Sequence, residues 1–299
     1  MRVVVTGGTG FIGSALVDEL CAAGHDVFTI ARNASTSKNA RGHLACAVEC
    51  PEVRPFFGQS GAIVHLAGLA DASASIEAPF TCAHTHSAGT LNVLEAAREG
   101  GSTVVLASSQ RVYRPSALPL AEDAPKSPLD PYGYSKLVAE TWAEMYNRLL
   151  GGRAVALRFF SVYGPGQRVQ SRSSGVVSIL MQRALRGDDL HVRRGVYRDF
   201  TFVDDVVGGI MLALSAPQAA GETYNIATGR ATSLEELAWA VKDVTGSASA
   251  VKVGPAPEVE ESYVADVAKA KRELGYEARI GLREGLRRYA EWLQNTAQG

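Results

Sequence analysis

Short apolar runs and amphipathic stretches alternate along the first half of the chain. Residues 2–6, 26–31, 61–66, 103–107 and 154–159 are apolar almost throughout. Between them, apolar residues three or four apart predict helices over 11–23, 78–99 and 132–150. In the first of these, Ile12, Leu16 and Leu20 share one face. Strands without polar alternation, separated by helices, predict a parallel sheet covered on both sides.

Beyond Gly164-Pro165-Gly166 the pattern loosens. Residues 176–186 read as a helix. Phe200 to Val203 read as a strand feeding a helix from Asp204, and 224–226 as a further strand. Two late helices are predicted over 233–245 and 282–293, with 251–257 as a proline-containing connector. The fold class is therefore α/β, a doubly wound parallel sheet with a smaller, interleaved C-terminal lobe.

Composition narrows the partners. The 299 residues are 46% hydrophobic and 20% charged, with a net charge of −1. No basic field exists to hold nucleic acid or an anionic membrane, so an anionic ligand must be met by a few placed arginines. No apolar run is long enough to span a bilayer. Val3-Val4-Val5 is broken at once by Thr6-Gly7-Gly8, which marks a strand rather than a signal peptide. Cys21, Cys46, Cys50 and Cys82 match no zinc spacing. Free thiols and a cytoplasmic location are the expectation. Cys82, His84 and His86 fall in one predicted helix, but only Cys82 and His86 share a face, so no metal is expected.

Candidate chemistry begins at Gly7-Gly8-Thr9-Gly10-Phe11-Ile12-Gly13, between a strand and a helix. Gly7 allows a tight turn, Gly10 lets backbone approach a pyrophosphate, and Gly13 lets helix and strand pack closely. The helix N-terminus at Phe11 and Ile12 offers N–H groups to phosphates. A nicotinamide dinucleotide is the expected ligand. Residues 1–163, rejoined by 198–227, form its domain in this reading, and 164–197 with 228–299 form the substrate lobe. The acidic residue that usually closes strand two is replaced by Ala31-Arg32. Arg32 can accept a 2′-phosphate, which favours NADP over NAD.

Tyr132 and Lys136 stand four apart on one predicted helix face. Lys136 can bind the nicotinamide ribose and lower the pKa of the Tyr132 phenol, which then moves a proton at a substrate hydroxyl. Ser108-Ser109 lies at the carboxyl edge of the sheet, where a serine hydroxyl can bond the reacting oxygen. Tyr134, only two residues from Lys136, is a decoy.

Taken together, these motifs resemble the extended short-chain dehydrogenase/reductase family, the NAD-dependent epimerase/dehydratase group acting on nucleotide sugars. Further matching segments are His65-Leu66-Ala67-Gly68, Gly89-Thr90-Leu91-Asn92, Val112-Tyr113, Arg158-Phe159-Phe160, Tyr163-Gly164-Pro165, Arg198-Asp199-Phe200 and Leu274-Gly275-Tyr276. The resemblance implies a Ser109/Tyr132/Lys136 triad, with NAD contacts that include Leu66, Ala67, Gly68 and Ser108. It implies a nucleotide-diphosphate sugar, UDP-linked, with Arg198 on the diphosphate. It also implies a homodimer built on the helices near 78–99 and 132–150.

Dehydratases of the family resemble Thr-Asp-Glu where this chain has Ser109-Gln110-Arg111, so loss of water is not expected. A 4-epimerase and an NADP-dependent 4-ketoreductase remain. Ser161, where many members carry Asn, and Arg168 after Gly164-Pro165-Gly166-Gln167 resemble uronate 4-epimerases. In that reading Ser109, Gln110, Arg111, Tyr132, Ser161, Arg168 and Arg198 bind the sugar nucleotide. Arg168 meets a C6 carboxylate or is a solvated loop residue, and UDP-glucuronate is the suspected substrate. His86 stands where the family usually has Asn.

Overall fold

The computed structural model describes residues 1–34, 39–58, 60–167 and 175–297. In chain order the elements begin β1 (Arg2–Thr6), α1 (Phe11–Ala22), β2 (Asp26–Ala31), β3 (Gly42–Ala45), α2 (Arg54–Phe57) and β4 (Ala62–His65). Then come α3 (Ala72–Glu77), α4 (Pro79–Gly100), β5 (Thr103–Ser109), α5 (Pro131–Leu150) and β6 (Ala154–Phe159). The remainder runs α6 (Val176–Arg186), β7 (Leu190–Arg193), β8 (Tyr197–Arg198), α7 (Val203–Ser215), β9 (Thr223–Ile226) and β10 (Thr232–Ser233). It closes with α8 (Leu234–Thr245), β11 (Val251–Gly254), α9 (Ala268–Leu274) and α10 (Leu282–Ala297).

Seven strands form one parallel sheet in the order β3-β2-β1-β4-β5-β6-β9. The order reverses beside β1, the switch point where such sheets bind ligands beyond their carboxyl ends. Val3 and Val5 pack on α1 and α7, alongside Leu16, Leu20, Val206 and Ile210. Val4, between them, faces the opposite layer with Ile63 of β4, Val93 of α4 and Ala139 of α5. The unbroken apolar strand is thus explained by burial on both faces. A separate core of Leu180, Met181, Leu237, Val241, Leu286 and Tyr289 joins α6, α8 and α10.

Local signals set the helices that matter for the site. Asp130 caps α5 by accepting from Gly133 N at 2.8 Å, Pro131 opens the helix, and Gly151 at φ +69° ends it. Ser233 and Glu236 form a reciprocal capping box on α8.

Two expectations are corrected. Phe200 to Val203 is not a strand: Phe202 makes one isolated bridge to Tyr163, and α7 begins at Val203. The pairing strand there is β8, antiparallel to β10. Asp199 holds the segment instead, accepting from Thr228 N at 2.9 Å and Gly229 N at 2.8 Å. The proline-containing connector contains β11, which runs parallel to β7. Its four residues are half exposed and carry too little apolar alternation to declare themselves.

Candidate active site

The glycine loop sits at the switch point with the geometry a dinucleotide needs. Gly7 adopts φ +72°, and a Cβ there would lie 2.8 Å from Ala67 N. A Cβ on Gly13 would strike Gly7 O at 2.1 Å. On Gly10 it would meet only Gly7 O, at 3.2 Å, so the space over the first turn of α1 is open. That turn, beginning Phe11-Ile12, has no capping side chain and no acidic residue, leaving its N–H groups and positive dipole end to a ligand. The donor set fits a pyrophosphate. Leu66, Ala67 and Gly68 continue β4 past the loop, with Ala67 N donating to Thr6 Oγ1 at 3.2 Å. Arg32 is exposed just beyond β2.

Tyr132, Lys136 and Ser109 converge at the carboxyl end of β5. Ser109 Oγ accepts from Arg111 N at 3.2 Å, and its hydroxyl acts on the Tyr132 phenol. Lys136 is buried, its ammonium donating to Ala107 O at 2.9 Å and lying 5.8 Å from the Tyr132 ring centroid. Burial lowers its pKa to about 8. The expected effect on Tyr132 is corrected: burial raises the phenol's pKa, opposed by the Ser109 hydrogen bond and the Arg111 charge rather than by Lys136. The Lys136 ammonium is engaged by a carbonyl instead of the phenol oxygen. Tyr134 is 56% exposed, as befits a decoy.

Ser108 faces the other way. Successive strand residues alternate sides, and the Ser108 hydroxyl donates to Glu140 Oε1. Its side chain is therefore committed inside the protein, and only its backbone is left to meet a cofactor. Glu140 also takes Arg158 bidentately, at 2.9 and 2.7 Å, in a pair almost wholly buried. Arg158 in turn donates to Tyr113 Oη at 2.7 Å.

His86 and Ser135 brace the start of α5. His86 Nδ1 is 2.5 Å from Ser135 Oγ, and its ring packs edge-on to Tyr132 with centroids 5.7 Å apart. Its buried Nε2 has no hydrogen-bond partner. Cys82 Sγ stands 3.7 Å from His86 Nδ1, a nitrogen already engaged by Ser135. A Cβ on Gly68 would lie 2.2 Å from His86 Nε2. Tyr132 N donates to Ser75 Oγ at 3.1 Å, so α3, which periodicity did not reveal, supports the tyrosine directly.

The sugar side holds Gln110, Arg111, Ser161 and Arg198. Gln110 Nε2 donates to Ser161 Oγ at 3.4 Å, while its buried Oε1 is unpartnered. Ser161, at φ +23°, is the one non-glycine with positive φ among the described residues. Arg198 donates to the carbonyls of Glu261 and Tyr197, and burial lowers its pKa to about 10. Arg168 lies outside the described residues. Sequence reasoning missed Tyr263, which lies against both Arg111 and Arg198. Nothing local in the sequence marks it. Asp130, by contrast, announces itself as a cap before Pro131.

This fold and this site define a Rossmann-type, dinucleotide-dependent enzyme. The chain belongs to the NAD dependent epimerase/dehydratase family, whose model matches residues 3–227. It is 31% identical to a UDP-glucose 4-epimerase of Mycolicibacterium smegmatis over the full length of both. The UDP-glucose 4-epimerase of Thermotoga maritima, solved with UDP-glucose, superimposes with a TM-score of 0.92 at 31% identity, covering 99% of this chain and 100% of that one. MoeE5, solved with UDP-glucuronic acid and NAD, superimposes with a TM-score of 0.90 at 33% identity over 99% of this chain and 100% of that one.

Proposed function

We propose that the chain is a UDP-sugar 4-epimerase with UDP-glucuronate as its substrate and UDP-galacturonate as product. The observation that carries the reaction is the convergence of Ser109, Tyr132 and Lys136 beside the glycine loop. NAD held on the glycine loop would supply the hydride acceptor and donor for C4. Tyr132 Oη takes the proton of the C4 hydroxyl and gives it back. Ser109 Oγ holds the reacting oxygen. Lys136, fixed by Ala107 O, binds the nicotinamide ribose and keeps a positive charge near the forming oxyanion. Arg198, half-buried and making no ion pair among the described residues, takes the diphosphate. Gln110 and Ser161 position the sugar.

The dinucleotide half comprises residues 1–163 and 198–227, and the sugar lobe 164–197 and 228–299. Phe80, Tyr134 and Val138 expose apolar surface on α4 and α5, which supports a homodimer through those helices. The four free cysteines support a cytoplasmic location.

A second reading, an NADP-dependent nucleotide-sugar 4-ketoreductase, is favoured by one observation, the absence of an acidic residue at Ala31-Arg32. One experiment separates the two. Purified protein is denatured and the supernatant examined for released dinucleotide, then native protein is incubated with UDP-glucuronate. Retained NAD and formation of UDP-galacturonate support the epimerase. Absence of the C4 epimer from both UDP-glucuronate and UDP-glucose overturns it.

A further inference from the structure

Two arginines flank the ring of Tyr263 on the sugar side. Tyr263 is 2% exposed, and its buried hydroxyl has no partner. The Arg111 guanidinium lies 5.9 Å from the Tyr263 ring centroid, and that of Arg198 lies 5.5 Å from it. Only one of the five N–H groups of Arg111 has a described partner, Asp130 Oδ2 at 2.9 Å. The buried Tyr263 hydroxyl is costly to leave unpaired unless a ligand completes it.

The two arginines occupy different places along the cleft. Arg111 is two residues from Ser109 and donates its own backbone N–H to the Ser109 hydroxyl. Its charge acts on the Tyr132 phenol. Tyr263 feels both arginines. The order is Tyr132, Arg111, Tyr263, Arg198. With C4 of the sugar at Tyr132 and the diphosphate at Arg198, Arg111 and Tyr263 flank the hexose between them. The C6 substituent leaves the ring from that stretch, one carbon beyond the neighbour of C4.

We propose that Arg111, together with the Tyr263 hydroxyl, binds the C6 substituent of the sugar and selects for a carboxylate there. This rests on the UDP-sugar 4-epimerase reading above and assigns its acidic-sugar selectivity to a residue of the β5 edge. A charge-assisted pair from Arg111 to a C6 carboxylate satisfies donors that a neutral hydroxymethyl group would leave largely unmet. It also neutralises the arginine that otherwise stabilises the Tyr132 phenolate, so acidic and neutral sugars leave the phenol in different fields.

The test is equilibrium binding of UDP, UDP-glucose and UDP-glucuronate to the NAD-loaded protein by calorimetry. It compares wild type with Arg111→Gln, Arg111→Lys and Tyr263→Phe. Arg111→Gln is expected to lose about 10- to 100-fold more affinity for UDP-glucuronate than for UDP-glucose. Arg111→Lys, which keeps a charge that can pair with Asp130, is expected to recover part of that difference. It also serves if the glutamine variant does not fold. Equal losses for UDP and both UDP-sugars would assign Arg111 to the diphosphate and overturn the proposal. Equal losses for both sugars, with UDP unaffected, would reduce Arg111 to a support for Asp130 and overturn it as well. Failure of wild-type protein to epimerise any UDP-sugar removes the reaction assignment alone, since the binding comparison does not depend on turnover.

Discussion

His86 Nδ1 stands 2.5 Å from Ser135 Oγ. The same hydroxyl donates to the Tyr132 carbonyl at 2.8 Å, so the histidine reaches the catalytic tyrosine's own turn through one side chain. His86 Nε2 is buried without a hydrogen-bond partner at the edge of the dinucleotide site.

A neutral, buried His86 makes stability depend on acid. Burial and the Lys136 charge hold its pKa to about 2, and burial holds that of His65 to about 3. In the unfolded chain both protonate near 6.5. As pH falls below that value the unfolded state binds more protons, and each histidine removes about 1.4 kcal/mol of stability per pH unit. His86→Asn should flatten the decline between about pH 6 and about pH 4. Urea midpoints measured across that range check it, and parallel curves for variant and wild type would contradict it.

Lys136 predicts opposite trends for rate and stability at alkaline pH. Its lowered pKa of about 8 means that its charge disappears above that value. Turnover should fall as pH rises through about 8, while the melting temperature does not fall with it. The unfolded lysine keeps its proton to about 10.5, so over the interval between the two values raising the pH favours the fold. Lys136→Arg, which cannot lose its charge in this range, should abolish that limb of the rate profile.

Tyr132→Phe should lower kcat by about 100- to 10,000-fold, the usual worth of a positioned proton-transfer group. The variant should still fold and hold NAD, because the contact that Tyr132 makes with α3 runs through its backbone N–H to Ser75. Dinucleotide content and circular dichroism provide the control, and a variant with undiminished kcat would remove the tyrosine from the reaction.

Glu140→Gln should cost about 3 to 5 kcal/mol in chemical unfolding, since it leaves the Arg158 guanidinium buried without its counter-charge. Loss of a surface ion pair such as Arg41 with Asp26, at 2.7 Å, should cost under about 1 kcal/mol.

Much of this architecture was legible in the sequence because local rules agree with the fold. β1 shows itself through an apolar run before glycine, and α5 through Asp130-Pro131 at its start. Tyr132 and Lys136 were legible from a spacing of four. What stayed hidden depends on contacts far apart in the chain. β11 exists because β7 lies beside it, and Tyr263 matters only because folding brings it against Arg111 and Arg198. Ser108 and Ser109 look equivalent as a dipeptide, yet the strand pleat sends the first to Glu140 and the second to Tyr132. The raised pKa of Tyr132 was equally invisible, because burial is a property of the folded cleft.

The approach of His86 to Gly68 carries a consequence for the history of the sequence. With a Cβ at residue 68 placed 2.2 Å from Nε2, the imidazole and any side chain at 68 exclude each other. The backbone at 68 also adopts φ +156°, so a side chain there is strained whatever stands at 86. Glycine at 68 is thus held twice over, and descendants that lose the ring at 86 should still keep it.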